Sequence, residues 1–183
     1  ELGGEEYKEM AEGDGHLKTG SVRRLIVGEP IGVFYGYRFD GIFQNEEECK
    51  QQTSSASPIG VGLRRYKDLN GDGKVDAAND REILGDANPK FFGGLTNTFA
   101  YKGFELNVFL KYSYGNKILN YNAMELENPT GGQNAYADMV NRWTPENPSN
   151  IYPKATTNRA LLASDRFIED GSYLKLKTLS LSY

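Results

Sequence analysis

An unbroken alternation at 104–114 constrains the fold of this 183-residue chain more than any other feature. One parity holds Phe104, Leu106, Val108, Leu110, Tyr112 and Tyr114, and the other holds Glu105, Asn107, Phe109, Lys111 and Ser113. A period of two predicts a β-strand with one apolar and one polar face. With a rise of about 3.3 Å per residue and a tilt of about 45°, it would climb roughly 25 Å, the height of a membrane barrel's apolar band. The pattern alone fits a long strand of a soluble β-sandwich equally well.

Two neighbouring segments extend this pattern. Residues 95–101 alternate in the same way, and the dipeptide Lys102-Gly103 is typical of a tight turn, so 91–114 is predicted to form a hairpin. The stretch 173–183 also alternates, but its leucines change parity between Leu176 and Leu179. A β-bulge near Thr178 would return them to one face.

Composition excludes several classes of protein. A net charge of -4 argues against nucleic-acid binding. A single cysteine (Cys49) excludes an intramolecular disulfide, and with a single histidine (His16) it excludes His/Cys metal centres. The mean hydropathy is -0.60, and no apolar run is long enough for a transmembrane helix. The 12 Tyr, 9 Phe and 21 Gly suit a membrane β-barrel, whose strands alternate and never build a long apolar run.

Turn-forming residues divide the rest of the chain into segments. Strands are predicted within 21–43. A loop is predicted over 44–90, which begins with a short helix at 44–52 and contains an Asp/Asn/Gly turn. A second, long loop is predicted over 115–172. A helix is expected at 134–143 inside that long loop, because Tyr136, Met139, Val140 and Trp143 fall at helical spacing.

The turn at 68–80 carries the sharpest chemical pattern. Asp68, Asn70 and Asp72 supply oxygens at alternate positions, glycine follows at the sixth position, and the seventh would offer a backbone carbonyl. This is the front half of a calcium loop. The candidate ligands are Asp68, Asn70, Asp72, Lys74 (through its carbonyl), Asp76 and Asp80. Asp80 comes one residue later than the usual closing carboxylate, so a metal-free turn held by its own side chains is the alternative.

Three aromatic residues of the long loop are candidates for ligand binding. Tyr136, Trp143 and Tyr152 would form a stacking platform for sugars or peptides, or would instead pin the loop to the rest of the chain. No catalytic residue is predicted. Glu46-Glu47-Glu48 could pair with another acid for glycosidase chemistry, but such a run is more typical of a solvated charged surface.

The order of short motifs over nearly the whole chain resembles the C-terminal part of the SusC/RagA family of TonB-dependent outer-membrane transporters. The motifs are Gly28-Glu29-Pro30-Ile31-Gly32, Phe34-Tyr35-Gly36-Tyr37, Asp40-Gly41-Ile42-Phe43-Gln44, Asp68-Leu69-Asn70-Gly71-Asp72-Gly73, Ile83-Leu84-Gly85, Pro89-Lys90-Phe91-Phe92-Gly93-Gly94-Leu95-Thr96-Asn97, Tyr114-Gly115-Asn116, Arg142-Trp143-Thr144-Pro145-Glu146-Asn147-Pro148 and Asp170-Gly171-Ser172-Tyr173-Leu174-Lys175-Leu176. The calcium-like loop departs from the family by one extra residue before Asp80.

The resemblance implies an all-β fold: antiparallel strands from the C-terminal part of a transmembrane β-barrel of about 22 strands with long extracellular loops. It implies a non-enzymatic fragment, spanning 1–183, of an importer of glycan or peptide nutrients in the Gram-negative outer membrane. A SusD-like surface lipoprotein would cap the barrel, and a TonB complex would act through N-terminal regions that this chain lacks.

Under this resemblance, residues 91–114 would form a transmembrane hairpin and 173–183 a further strand. The apolar side chains from Phe104 to Tyr112 would face lipid. No cofactor is required, and calcium at 68–80 is optional. A secreted, calcium-stabilised β-domain that binds carbohydrate is the alternative.

Overall fold

The computed structural model describes residues 22–24, 26, 28–127, 134–157 and 162–183. The strands are β1 (Arg23–Arg24), β2 (Val33–Tyr37), β3 (Phe39–Ile42), β4 (Thr53–Ser54), β5 (Arg64–Tyr66), β6 (Lys74–Val75), β7 (Arg81–Gly85), β8 (Phe91–Tyr101), β9 (Phe104–Tyr114), β10 (Lys117–Leu119), β11 (Ile168–Asp170) and β12 (Tyr173–Ser182). The helices are α1 (Glu46–Gln51) and α2 (Tyr121–Leu126), with 3-10 turns at Ala137–Asn141 and Asp165–Phe167. Predictions that concern residues 1–21, including His16, lie outside the described residues.

Three strands form a long antiparallel sheet in the order β12-β9-β8. We call β8, β9 and β12 the long sheet. Strands β8 and β9 pair along their full length, from Phe91 opposite Tyr114 to Tyr101 opposite Phe104. The turn between them has Lys102 at φ 50° and Gly103 at φ 88°, as a two-residue hairpin with a left-handed backbone requires.

A bulge in β12 resolves the change of parity in its sequence. Leu176 pairs with Leu110, and the register shifts before Thr178, which pairs with Phe109. The extra residue, Lys177, restores the phase, so all four leucines of β12 lie on the same side of the sheet.

The long sheet therefore has an apolar face and a polar face. The apolar face carries Phe91, Gly93, Leu95, Asn97, Phe99, Tyr101, Phe104, Leu106, Val108, Leu110, Tyr112, Tyr114, Leu174, Leu176, Leu179 and Leu181. The polar face carries Phe92, Gly94, Thr96, Thr98, Ala100, Glu105, Asn107, Phe109, Lys111, Ser113, Tyr173, Lys175, Thr178, Ser180 and Ser182. Leu174 and Leu181 are 73% and 70% exposed. An apolar surface of this size needs an apolar environment.

The remaining described residues, within 22–90 and 115–172, pack into a second body that we call the loop unit. Its sheets are short: β1-β2-β7, β3-β5 and β10-β11 are antiparallel, and β4-β6 is a parallel pair. Its core consists of small clusters around Phe34, Tyr37, Tyr66 and Phe167, each at most 4% exposed. Within the described residues, no helix has the length and apolar character needed to cross a bilayer.

The loop unit is more ordered than its sequence predicts. Residues 44–90 hold α1 and strands β4 to β7, and 115–172 holds α2 and strands β10 and β11. The predicted helix at 134–143 is instead a 3-10 turn over Ala137–Asn141, and Val140, expected on its apolar face, is 76% exposed. The turn ends there because Arg142 adopts an extended conformation with ψ 155°.

Candidate functional site

The loop at 68–80 is shaped by hydrogen bonds from backbone amides to its own acidic side chains. The two carboxylate oxygens of Asp68 accept the N–H groups of Gly71 and Gly73, each at 2.7 Å. Gly71 has φ 77° and Gly73 has φ 79°, a conformation that L side chains rarely adopt. The Gly spacing read from the sequence thus reflects the tight curvature of this loop.

The carboxylate of Asp80 closes the loop by accepting hydrogen bonds from backbone amides. Its side chain is fully buried and accepts the N–H of Leu69 at 2.8 Å and that of Asp76 at 2.7 Å. It therefore ties the beginning of the loop to its end. Asp80 comes one residue later than the usual closing ligand of a calcium loop, and at that position it holds the two ends of the loop together.

The candidate metal ligands do not converge on one point. Asn70 donates to the carboxylate of Asp72 at 3.0 Å, and the ammonium group of Lys74 lies 3.3 Å from Asp76. A hydrogen bond from the Asn79 N–H, aided by Lys74, lowers the pKa of Asp76. In the described part of the chain, no group of three or more His, Cys, Asp or Glu residues is placed to hold a metal ion. Calcium binding at the 68–80 loop therefore stays a prediction.

Trp143 holds the long loop against the segment that follows β3. Its indole N–H donates to the side-chain oxygen of Gln44 at 3.1 Å, and its backbone N–H donates to Tyr152 at 3.0 Å. The ring covers Gly62, where an added Cβ would lie 2.6 Å from the indole. These contacts are those expected of a residue that pins the loop.

Tyr136 and Tyr152 make their own contacts on the same loop. Tyr136 is 38% exposed and its N–H bonds to Leu126, whereas the ring of Tyr152 lies under the guanidinium of Arg166 at 5.4 Å. Among the described residues, no ring contact joins either tyrosine to Trp143. A role for the three aromatic residues in ligand binding stays a prediction.

A cluster of charged residues at the centre of the loop unit was not found from the sequence. Arg166 donates to one carboxylate oxygen of Glu127 from both Nε, at 3.1 Å, and Nη2, at 2.5 Å. Arg64 is 8% exposed and donates to the backbone carbonyl of Glu127 at 3.1 Å. The partners are 39 and 63 residues apart in the sequence, so no local pattern announces them.

A polar depression of about 260 Å³ opens between α1 and the 68–80 loop. Its lining is Asp40, Glu48, Gln51, Gln52, Arg65, Asp68 and Gly73. Arg65 pairs with Asp40 at 2.9 Å and lies 3.7 Å from Glu48. Arg65 therefore pairs with two of the three carboxylates of this depression, and the third, Asp68, is the residue of its lining that was predicted as a calcium ligand.

Comparison with known proteins identifies the architecture. The chain is 37% identical over 169 residues, 92% of its length, to TonB-dependent receptor P3 of Formosa agariphila. TonB-dependent receptor P26 of the same organism is 32% identical over 185 residues, covering 100% of the chain. The chain is homologous to one segment of the TonB-dependent receptors. It spans 16% and 18% of the length of these two curated relatives, and no family model matches it.

Solved structures agree with this assignment. Two structures, titled as the RagAB peptide importer in its closed-closed state and the RagAB peptide transporter, superpose with TM-scores of 0.61 and 0.63 at 21% identity. They cover 87% and 90% of this chain, which in turn covers 17% of each. TonB-dependent receptors are outer-membrane β-barrels of Gram-negative bacteria, so the predicted all-β class, the antiparallel barrel strands and the outer-membrane location are confirmed.

Proposed function

We propose that this receptor segment forms late barrel strands and extracellular loops of a TonB-dependent active importer of glycan or peptide nutrients. The observation that carries the proposal is the two-faced register of the long sheet. Its apolar face suits lipid and its polar face suits a water-filled lumen, which is how the strands of an outer-membrane barrel alternate.

The boundaries follow from the same argument. Residues 91–114 are the transmembrane hairpin and 173–183 a further spanning strand, since their apolar side chains share one face. The two-residue turn at Lys102 and Gly103 would lie on the periplasmic side, where such barrels have short turns. The loop unit would then lie outside the cell, where a ligand arrives.

We assign the importer two partners by analogy. The structures of similar fold carry the name RagAB and are described as a peptide importer and transporter, which supports a SusD-like surface lipoprotein above the loop unit. A TonB complex would supply energy through regions outside this chain. The relatives are named as receptors, and a non-enzymatic role stays our prediction.

Uptake by cells tests this function. Host cells that produce the full-length receptor and its lipoprotein partner should accumulate labelled oligopeptides or oligosaccharides, and cells without the receptor should not. Accumulation should stop when the TonB gene is deleted. Uptake that persists without TonB, or a full-length receptor that mediates no uptake, would contradict the proposal.

The alternative of a secreted calcium-stabilised domain leaves the exposed apolar face unexplained, because such a domain would be soluble. Its calcium component has its own test. The melting temperature of the full-length receptor is compared with calcium and with a chelator. A clear rise with calcium would support the metal site, and an unchanged melting temperature would remove it.

A further inference from the structure

Two lysines of the polar face and the lysine at the bulge of β12 lie around one depression. Lys111 of β9 and Lys175 of β12 are directly opposite each other in the register. Lys177 follows two residues later at the bulge. Together with Tyr173, they line a depression of about 340 Å³, which we call the lysine pocket.

The three ammonium groups of the lysine pocket repel one another. Like charges directly opposite on adjacent strands destabilise a sheet. Among the described residues, no ion pair joins any of these three lysines to a carboxylate. The repulsion would be relieved by an anion seated between the ammonium groups.

The bulge contributes to this concentration of charge. Because it falls between Leu176 and Thr178, it inserts Lys177 without moving the leucines that follow it off the apolar face. Bulges recur beside functional sites, where they redirect a side chain. Here the extra residue is a third cation next to an existing pair.

The lysine pocket lies at the end of the sheet that joins the loop unit. Lys111 is three residues before the end of β9, and Lys175 is the third residue of β12. The two-residue turn lies at the opposite end. In the orientation proposed above, the pocket faces the lumen near its extracellular mouth.

We propose that the lysine pocket is a subsite for a carboxylate group of the imported nutrient. The inference rests on the proposed function and names the ligand chemistry. Ammonium groups on flexible stems act as hydrated point charges rather than rigid bidentate clamps. They raise the local concentration of anions and still release them, as a transport path requires.

Binding to the purified full-length receptor, measured by calorimetry, tests the subsite. The anionic probes are tetraglutamate and tetragalacturonate, and their neutral counterparts are tetraglutamine and galactotetraose. The triple variant Lys111→Gln, Lys175→Gln, Lys177→Gln should bind an anionic probe about tenfold or more weakly. Each exposed ion pair strengthens binding by up to about fivefold, and the variant removes three ammonium groups that could form one. The affinity of neutral probes should not change.

The control variant is Lys102→Gln, which removes a lysine at the far end of the same sheet and should bind as the wild type does. If the triple variant does not fold, Lys177→Gln alone and the triple Lys→Arg variant replace it. Lys177→Gln should weaken anion binding, and the Arg variant should retain it.

The probes also separate the two sources of the anion. Loss of tetraglutamate binding alone assigns the pocket to acidic peptides, and loss of tetragalacturonate binding alone assigns it to acidic glycans. Equal binding by wild type and triple variant, or no binding of either anion by the wild type, overturns the proposal. If cells still show TonB-dependent uptake in that case, only the subsite fails, whereas absent uptake means that the transport function itself fails.

Discussion

Arg166 joins distant parts of the loop unit through one guanidinium group. It pairs with Glu127, and its charge lies 5.4 Å from the ring centres of both Phe39 and Tyr152. The side chains of Arg166 and Glu127 are only 15% and 13% exposed. At the scale of single residues, this guanidinium connects Glu127 and Tyr152 of the long loop to Phe39 of β3.

Replacing Arg166 by Ala should destabilise the loop unit by about 2–3 kcal/mol, because Glu127 would keep a mostly buried charge without its partner. Hydrogen exchange in the full-length receptor measures this as faster opening of β3, of α2 and of the residues around Tyr152. The long sheet should keep its protection.

The control for Arg166 is Arg65→Ala. Arg65 also forms an ion pair, with Asp40 at 2.9 Å, but the two side chains are 33% and 51% exposed. Such a pair contributes about 0–1 kcal/mol. Equal effects of the two substitutions would show that the Arg166 contact is no more important than a surface ion pair.

At the scale of elements, the long sheet was predictable and the loop unit was not. A strand's faces follow from its own period of two, so the hairpin and the bulge near Thr178 could be inferred from neighbouring residues. The loop unit depends on distant contacts instead. The N–H of Phe39 bonds to Asp165 at 2.7 Å, and Tyr37 forms an isolated bridge with Ser164, across more than 120 residues in each case.

The candidate site also contains one feature that local sequence predicts and several that it does not. The tight curvature at 68–80 is visible in the sequence, because Asp, Asn and Gly shape such turns locally. The bonds of Asp80 to backbone amides, the hold of Trp143 on Gly62 and the pairing of Lys111 with Lys175 all require the three-dimensional register. The partners of Trp143 and of Lys111 lie in distant segments of the sequence, and the amide hydrogen bonds that Asp80 accepts follow from the folded path of its own loop.

The apolar face predicts how the middle of β9 responds to charge. Val108→Arg should destabilise the full-length barrel by about 2–4 kcal/mol, the cost of arginine facing lipid near the bilayer midplane. Asn107→Arg, one residue earlier and on the polar face, should cause little change. Denaturant unfolding in phospholipid vesicles compares the two. A larger loss for Asn107→Arg would mean that the faces are reversed.

At the scale of the whole molecule, the long sheet needs neighbours. Strands β8 and β12 each pair with β9, and each has a second edge that forms no pairs within the described residues. Exposed leucines, such as Leu179 at 63% and Leu181 at 70%, flank the β12 edge. Closure into a barrel pairs such edges and places the leucines in lipid.

The most direct test of a sheet with one lipid face and one lumen face is a spin-label scan of β9. Single cysteines at 106–111 are introduced into the full-length receptor in vesicles, after Cys49→Ser has removed the chain's native thiol. Collision with oxygen, which partitions into lipid, should be high at 106, 108 and 110. Collision with a water-soluble nickel complex should be high at 107, 109 and 111. Equal access of the nickel complex to both sets would contradict the account.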